Sequence, residues 1–520
     1  VFDIWQLKLL QIKGDMLMKI WKKSALVLLS TFLVTVGSYG SYMPKTAHAA
    51  GEQVEVWLST SDPNSEPAVG LRTDARLTKI ASKNFSTNSG NADVTITVNE
   101  NKTYQQMDGF GVSLTDASAW LMNYKLDNNK RAEVMERLFG NTGIGLSLLR
   151  QPIGSSDFAW AAYTYADTPN DTSLNQFTID RDKAYILPMV KAAIAKNPNI
   201  KVMGSPWSAP AWMKYSNNLN GGKLKAEHYG TYANYFKKYI EAYQAEGVPI
   251  YAVTLQNEPM YEPSHYPSMG MNAQDQTGFI GDYLGPTLRN AGINTKIIAF
   301  DHNFLDWNFP NQVITNLKNA GKGSYVSGSA FHHYDSGDGS TMTSMHNSHP
   351  DKEIWFTEGG FGNWNDPQNG TSSGFDNMMN EFINITRNWS KSIILWNAAL
   401  DQKDGPALLS PNNTNKGMIT IRNSDNRNDA PENNVTYHKQ YYLLGHFSKF
   451  VVPNAYRIDS NTGSEVKNVA FRNPDGSKVV VAYNSSSSSK NVKIQWGSQS
   501  FVVTIPGKSA MTYKWNGNVS

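Results

Sequence analysis

From Gln106 onward the chain repeats one pattern eight times: a short apolar, β-rich run, then a stretch with helical periodicity. The runs are Met107 to Leu114, Leu146 to Ile153, Lys201 to Ser205, Ile250 to Leu255, Lys296 to Phe300, Val326 to His332, Glu353 to Thr357 and Ser392 to Trp396. Alternation of this kind predicts parallel strands, which need helical crossovers to run in one direction. Between the third and fourth runs, Tyr232, Tyr235, Phe236, Tyr239, Ile240 and Tyr243 recur at spacings of three and four and mark one buried helical face. Asp376 to Trp389 likewise predicts a helix between the seventh and eighth runs. Eight strands with intervening helices over about 300 residues have the count and size of a (β/α)8 TIM barrel. An open doubly wound sheet is the alternative, but the glycine-rich phosphate turn such sheets usually carry does not follow the first run.

The texture differs on either side of this region. Gln53 to Leu58 and Val94 to Val98 precede it, and alternating strands from Val466 to Trp515 follow, with Asn473-Pro-Asp475-Gly476 as a hairpin turn. The pattern predicts a β-sandwich side domain built from N-terminal and C-terminal strands. Its expected boundaries are 1–49 for a leader, 50–104 for the N-terminal strands, 105–435 for the barrel and 436–520 for the C-terminal sandwich. With no exposed aromatic platform identifiable, the sandwich reads as a structural side domain, with carbohydrate binding as the alternative.

Lys19, Lys22 and Lys23 precede an apolar run from Ala25 to Val36, and Ala47-His48-Ala49 follows as a small-x-small site. Together they predict a secretory signal peptide cleaved near Ala49-Ala50, with translation expected to begin at Met16 or Met18. The apolar run is shorter than the ~20 residues of a membrane span. Residues 1–49 hold six Lys and two acidic residues, so the formal charge of +3 belongs largely to the leader. Net charge therefore makes no case for a nucleic-acid or anionic-lipid partner, and no obligate protein partner is evident. The absence of Cys excludes disulfides and thiolate metal sites.

Two strings, Thr254-Leu-Gln-Asn-Glu258-Pro and Trp355-Phe-Thr-Glu358-Gly-Gly, each put a glutamate at the end of a strand-like run, the fourth and the seventh. Barrel active sites lie at the carboxyl ends of the strands. Glycosidic bond cleavage needs two carboxyls there, one to protonate the departing oxygen and one to attack the sugar or activate water. Solvated strand ends are the ordinary alternative for any single glutamate.

Several longer strings carry a resemblance. Gly109-Phe-Gly-Val-Ser-Leu-Thr-Asp116-Ala, Tyr163-Thr-Tyr-Ala-Asp-Thr-Pro169, Ser205-Pro-Trp207, Gln256-Asn-Glu258-Pro, Thr357-Glu358, Trp396-Asn397 and Leu444-Gly-His-Phe-Ser-Lys-Phe450 resemble glycoside hydrolase family 30. The likeness is to its glucosylceramidase and β-1,6-glucanase branches and runs through the mature chain in order. It implies a retaining enzyme with Glu258 as acid/base and Glu358 as nucleophile. It further implies Asn257 at the sugar 2-hydroxyl, Asp116 at the far hydroxyls, Trp207 and Trp396 lining the sugar pocket, and Tyr334 donating to the nucleophile and binding substrate; His333, a departure on the leaving-group side, is expected as a further substrate-binding residue. Arg150 and His332 are supporting residues. An N-cap role for Asp116 and an ordinary ion pair for Arg150 remain alternatives. His302, Asp301, His332 and His333 lack metalloprotease-type spacing, and carboxylate chemistry needs no metal or other cofactor.

The animal glucosylceramidase has Trp where this chain has His333, and its sequence after the eighth-strand Trp differs from Gln402 to Ser410. The expected substrate is accordingly β-1,6-glucan. Glucosylceramide, a small β-glucoside or a β-xyloside is the alternative within the enzyme class, and a catalytically silent glucan-binding protein is the alternative outside it.

Overall fold

The computed structural model describes residues 51–61, 75–87, 89–362, 372–407, 409–411, 413–424 and 430–517. The expected leader and cleavage site lie outside these residues. Among the described residues, no helix is long and apolar enough to cross a membrane.

Eight parallel strands close into a barrel: Gly109–Ser113, Leu148–Ile153, Lys201–Pro206, Ile250–Thr254, Lys296–Asn303, Gly328–His332, Glu353–Gly359 and Ser392–Leu395. Each pairs with its neighbour in chain order, and Ser392–Leu395 closes the circle against Gly109–Ser113. All eight fall on the expected runs. Helix Tyr229–Ala245 buries the expected tyrosine face, with Tyr232, Tyr235, Tyr239 and Tyr243 fully enclosed. The helix expected over Asp376 to Trp389 spans Ser372–Arg387 instead. It stops earlier because Trp389 takes φ 73°, outside the helical region, and stacks on His346.

The barrel interior changes character along the strands. Leu148, Met203, Ala252, Ala330, Trp355 and Ile394 form a closed apolar cluster in the interior. Two residues further along the same strands, on the same inward face, stand Arg150, Ser205, Thr254, His332, Thr357 and Trp396. One period of the pleat thus converts an apolar plug into a polar floor. Trp355 anchors the plug, 1% exposed, with its indole N–H donating to Asp108 at 2.9 Å. Removing its side chain would cost ~3–5 kcal/mol.

Nine strands form the side domain, in the order Thr78–Asn84, Gln53–Thr60, Ser509–Trp515, Lys478–Asn484, Val466–Arg472, Tyr456–Ser460, Val94–Gln106, Lys490–Trp496, Gln499–Ile505. N-terminal strands enter its interior: Val94 to Val98 pairs in parallel with Val492 to Trp496, and Val56 lies opposite Tyr513. Val54, Val56 and Leu58 alternate into a core with Phe85, Trp496 and Trp515. The expected turn joins two of its strands, with Gly476 at φ 83°, a region L side chains rarely occupy. Helix Lys439–Ser448 packs on both the barrel and the sandwich, and His446 donates or accepts across that seam with Ser59 and Thr512, each at 2.8 Å.

Candidate active site

At the carboxyl end of the barrel a cavity of about 350 Å³ is lined by Asp157, Trp207, Asn257, Glu258, Tyr261, Tyr266, His302, Asn303, Tyr334, Glu358, Trp396 and Asn415. Both expected glutamates face it. One ligand atom each of Glu258, His332 and Glu358 lies within 4.8 Å of the others.

Irregular backbone puts these carboxylates in place. Glu258 follows the fourth strand with φ 47°, held by its N–H donating to the Asp301 carbonyl at 2.9 Å. Pairing of the seventh strand shifts register between Phe356 and Glu358, so that Glu358 joins Thr357 at the mouth. Phe300 and Asp301, with φ 77° and 80°, form a register shift in the fifth strand that turns Asp301 inward. Bulges of this kind re-aim side chains beside active sites.

Arg150 organises the floor and is fully enclosed. Its Nη1 donates to Glu358 Oε2 at 2.6 Å; Nη2 reaches Asn257 Oδ1 at 2.7 Å and Asp301 Oδ2 at 2.9 Å. Asn257 therefore accepts from Arg150 and keeps its amide N–H groups for the cavity. Asp301 also accepts from Ser205, Thr254, Thr357 and His332. Burial alone would raise its pKa, yet Arg150, His332 and Thr357 hold it far below the ordinary carboxylate range.

Glu358 receives a second donor, the Tyr334 hydroxyl, at 2.9 Å on Oε1. Glu258 Oε1 lies 3.2 Å from His332 Nδ1, while His332 Nε2 lies 2.9 Å from Asp301. Because Asp301 can only accept, Nε2 carries a proton, and a single further proton is shared between His332 Nδ1 and Glu258. Burial lowers the His332 pKa, but Glu358, Asp301 and Glu258 overcome it and hold it up at about 9. Burial is the largest single effect at Glu258, but while His332 is charged its hydrogen bond and charge, together with His302 and Arg150, outweigh it and favour the ionised form; burial and the Glu258 charge then push Glu358 up. When the proton passes to Glu258, Arg150 and Tyr334 carry the charge of Glu358 alone. Arg150 already supplies cationic charge beside these carboxylates, a poor setting for a metal ion.

Trp207 and Trp396 stack on one another, ring centroids 5.2 Å apart at 22°, and both flank the Arg150 guanidinium. Both line the cavity, as expected.

Two expectations are corrected. Asp116 does not line the cavity, nor does it cap the helix; Thr115 is the cap, accepting from Ser118 N–H. Asp116 is 3% exposed, accepts from the Tyr185 hydroxyl at 2.8 Å and pairs with Arg181 at 3.6 Å. Burial pushes its pKa up against these donors. The next residue, Ala117, donates its N–H to Phe158 O at 3.1 Å, so this helix start buttresses the loop carrying Asp157. Of these two aspartates it is Asp157 that reaches the cavity. Its Oδ1 is buried without a hydrogen-bond partner, and burial together with the charges of Glu358 and Glu258 raises its pKa well above the ordinary range. The second correction is His333. It turns away from the cavity, with Nδ1 2.5 Å from Glu381 and Nε2 3.0 Å from Gly360 O, bracing the segment after Glu358.

The Tyr163 to Pro169 string supports the same loop. Ser155 Oγ donates to Tyr163 O and accepts from Tyr163 N, and the Tyr165 hydroxyl donates to buried Asp182 at 2.6 Å. Asp157, Tyr261, Tyr266, His302, Asn303 and Asn415 were not singled out as cavity residues from sequence. Asp157 had a readable signal, a carboxylate four residues beyond the second strand.

A (β/α)8 barrel with facing carboxylates and stacked tryptophans at its carboxyl-end cavity defines a glycoside hydrolase. Residues 107–451 match the glycosyl hydrolase family 30 TIM-barrel domain, and residues 454–513 match the family's beta sandwich domain. The chain belongs to glycosyl hydrolase family 30. It is 32% identical over 437 residues to an endo-1,6-beta-D-glucanase of Trichoderma harzianum, covering 79% of this chain and 84% of that one. To the lysosomal acid glucosylceramidase of Mus musculus it is 29% identical over 488 residues, 88% of this chain and 92% of that one. The solved structure of an endo-beta1,6-glucanase matches at 33% identity with a TM-score of 0.80, over 90% of this chain and 100% of that chain.

Proposed function

We propose that this protein is a retaining β-glycosidase that hydrolyses β-1,6-linked glucan. The observation that carries the mechanism is the spacing of its carboxylates. Glu258 and Glu358 present oxygens within 4.8 Å of each other, in keeping with the ~5–5.5 Å of retaining enzymes and too close for the ~6.5–9.5 Å that leaves room for an inverting water.

In the first step the Glu258 carboxyl proton passes to the glycosidic oxygen as the C1–O bond breaks, and Glu358 Oε attacks C1 to form a glycosyl ester. In the second, Glu258 removes a proton from water, whose oxygen attacks C1 and releases Glu358 as a carboxylate. Arg150 and Tyr334 stabilise the leaving charge of Glu358 in that second step. The Asn257 amide is free to grip the sugar 2-hydroxyl, and Asp157, with Oδ1 unpartnered, is placed to bind hydroxyls on the ring's other side. Trp207 and Trp396 cover the sugar's C–H faces.

The substrate reading rests on the endo-1,6-beta-glucanase relatives. We propose too that residues 1–49 direct export. The test is incubation of the chain from Ala50 onward with β-1,6-glucan, β-1,3-glucan, glucosylceramide and aryl β-glucosides, following products by length and anomer. Initial release of β-anomer from β-1,6-glucan supports the reading; initial release of α-anomer contradicts retention, and turnover of glucosylceramide alone contradicts the glucan assignment.

A further inference from the structure

Beside the catalytic cavity lies a larger cleft of about 850 Å³, between helix Ser372–Arg387, the loop after the sixth barrel strand and the sandwich hairpin at Thr462, Gly463 and Lys467. Adjacent residues divide the two spaces: Tyr334 lines the catalytic cavity and His333 lines this cleft.

The chemistry of the cleft is dominated by neutral amides. Asn377, Asn380 and Asn384, at spacings of three and four, share one helix face and all line it. Asn380 Oδ1 is buried with no hydrogen-bond partner, a cost that a ligand hydroxyl would relieve. Most of the charged groups around it are already engaged. Arg387 donates to Ser460 O at 2.9 Å and Asn468 O at 3.0 Å, Asp335 accepts from Leu305 N and Gly337 N, Asp338 accepts from Ser340 N, and Glu381 pairs with His333. These bonds hold the walls in place, and the positive charges of Arg387 and Lys467 offset the negative ones of Asp335 and Asp338 while Glu381 is paired with His333, so the cleft carries little net field for a charged ligand. Phe304 and Ile383 back the cleft from the core. Directional amides in a fixed frame of little net charge suit a neutral polyhydroxylated chain.

We propose that this cleft is a second binding site for glucan, assembled jointly by the barrel and the sandwich, which holds a stretch of the polymer beside the catalytic cavity. The identity of the bound sugar rests on the β-1,6-glucan reading above. The additional rotatable C5–C6 bond in each β-1,6 linkage lets one chain bend around the His333 and Tyr334 divide.

The test uses the chain from Ala50 onward, with an Asn377→Ala/Asn380→Ala double variant and, on the sandwich side, Lys467→Ala. Each variant is expected to leave kcat and KM for an aryl β-glucoside within about twofold and to raise KM for polymeric β-1,6-glucan about five- to tenfold. In an inactive Glu358→Gln background, titration with a β-1,6-linked glucose hexamer is expected to show two binding events, the weaker of them lost in the double variant. Unchanged KM for polymer in both variants, or a single binding event that survives the double variant, overturns the proposal. If the wild type cleaves a different β-glucan, the linkage reading fails by itself, and the same variants are judged on that glucan: an unchanged KM there overturns the cleft, and a raised KM upholds it.

Discussion

Arg150 Nη1 donates to Glu358 Oε2 at 2.6 Å from a position with no solvent exposure. The guanidinium is the hub of the site, since its other arm holds Asn257 and Asp301. Position and charge of the proposed nucleophile therefore depend on a residue that lies beneath the cavity.

Replacing Arg150 by Met should leave Glu358 buried without its directly bonded cation and Asp301 with His332 alone. Breaking a buried pair in this way costs ~3–5 kcal/mol, measurable by denaturant unfolding. Arg150→Lys restores charge but not the fork that spans three acceptors. It should recover much of the stability while kcat stays at least tenfold down; full activity in Arg150→Lys would refute the hub role.

Glu258→Ala and Glu358→Ala should fail differently. Loss of the acid/base should lower kcat on glucan by ~10²–10⁴, yet a dinitrophenyl glucoside, whose leaving group needs no proton, should still give a burst followed by slow turnover. Glu358→Ala should show no burst with either substrate. Stopped-flow release of dinitrophenol separates the two, and a burst from Glu358→Ala would remove its assignment as nucleophile.

Asp157 and Asp116 make a matched comparison. Asp157→Asn should raise KM and lower kcat/KM for glucosides with little change in Tm, because its carboxyl faces the cavity. Asp116→Asn should lower Tm, because the amide keeps one acceptor for Tyr185 but removes the charge opposite Arg181 and turns an N–H donor into that buried site. The reverse result would return substrate contact to Asp116.

Two histidines give stability opposite pH slopes. His332 is held up at about 9 in the fold, above its ordinary 6.5, so its contribution is complete below about pH 6.5 and is lost as pH rises through about 9. His446, enclosed between Ser59 and Thr512, is pushed down by burial to about 3. The unfolded chain binds its proton first, so stability falls as pH drops from about 6.5 towards 3. Tm measured across pH 3–10 should decline on both sides. His446→Gln should flatten the acid limb alone, and an unchanged acid limb would show that other groups control it.

Barrel and sandwich were legible because their causes are periodic. Apolar runs repeat with the period of strands, and the tyrosines of Tyr229–Ala245 repeat with the period of a helix, so burial follows from spacing. The glutamates were legible as well, since each ends a strand whose carboxyl end must face the barrel mouth. Trp207, Trp396, Asn257 and Tyr334 followed from the resemblance and do line the cavity.

What sequence alone determined, then, is the class of fold and the pair of carboxylates, both encoded in local pattern and short strings. Tertiary structure decided which aspartate reaches the cavity. Asp116 and Asp157 each stand just beyond a barrel strand, but the turn at Ser155 to Phe158, clamped by Tyr163, aims Asp157 inward while Tyr185 draws Asp116 away. The inward turn of Asp301 was settled by the register shift in the fifth strand, whereas His333 points outward by ordinary alternation after inward-facing His332. A one-residue register shift reverses the face a side chain occupies, and such shifts are fixed by contacts between strands distant in the chain.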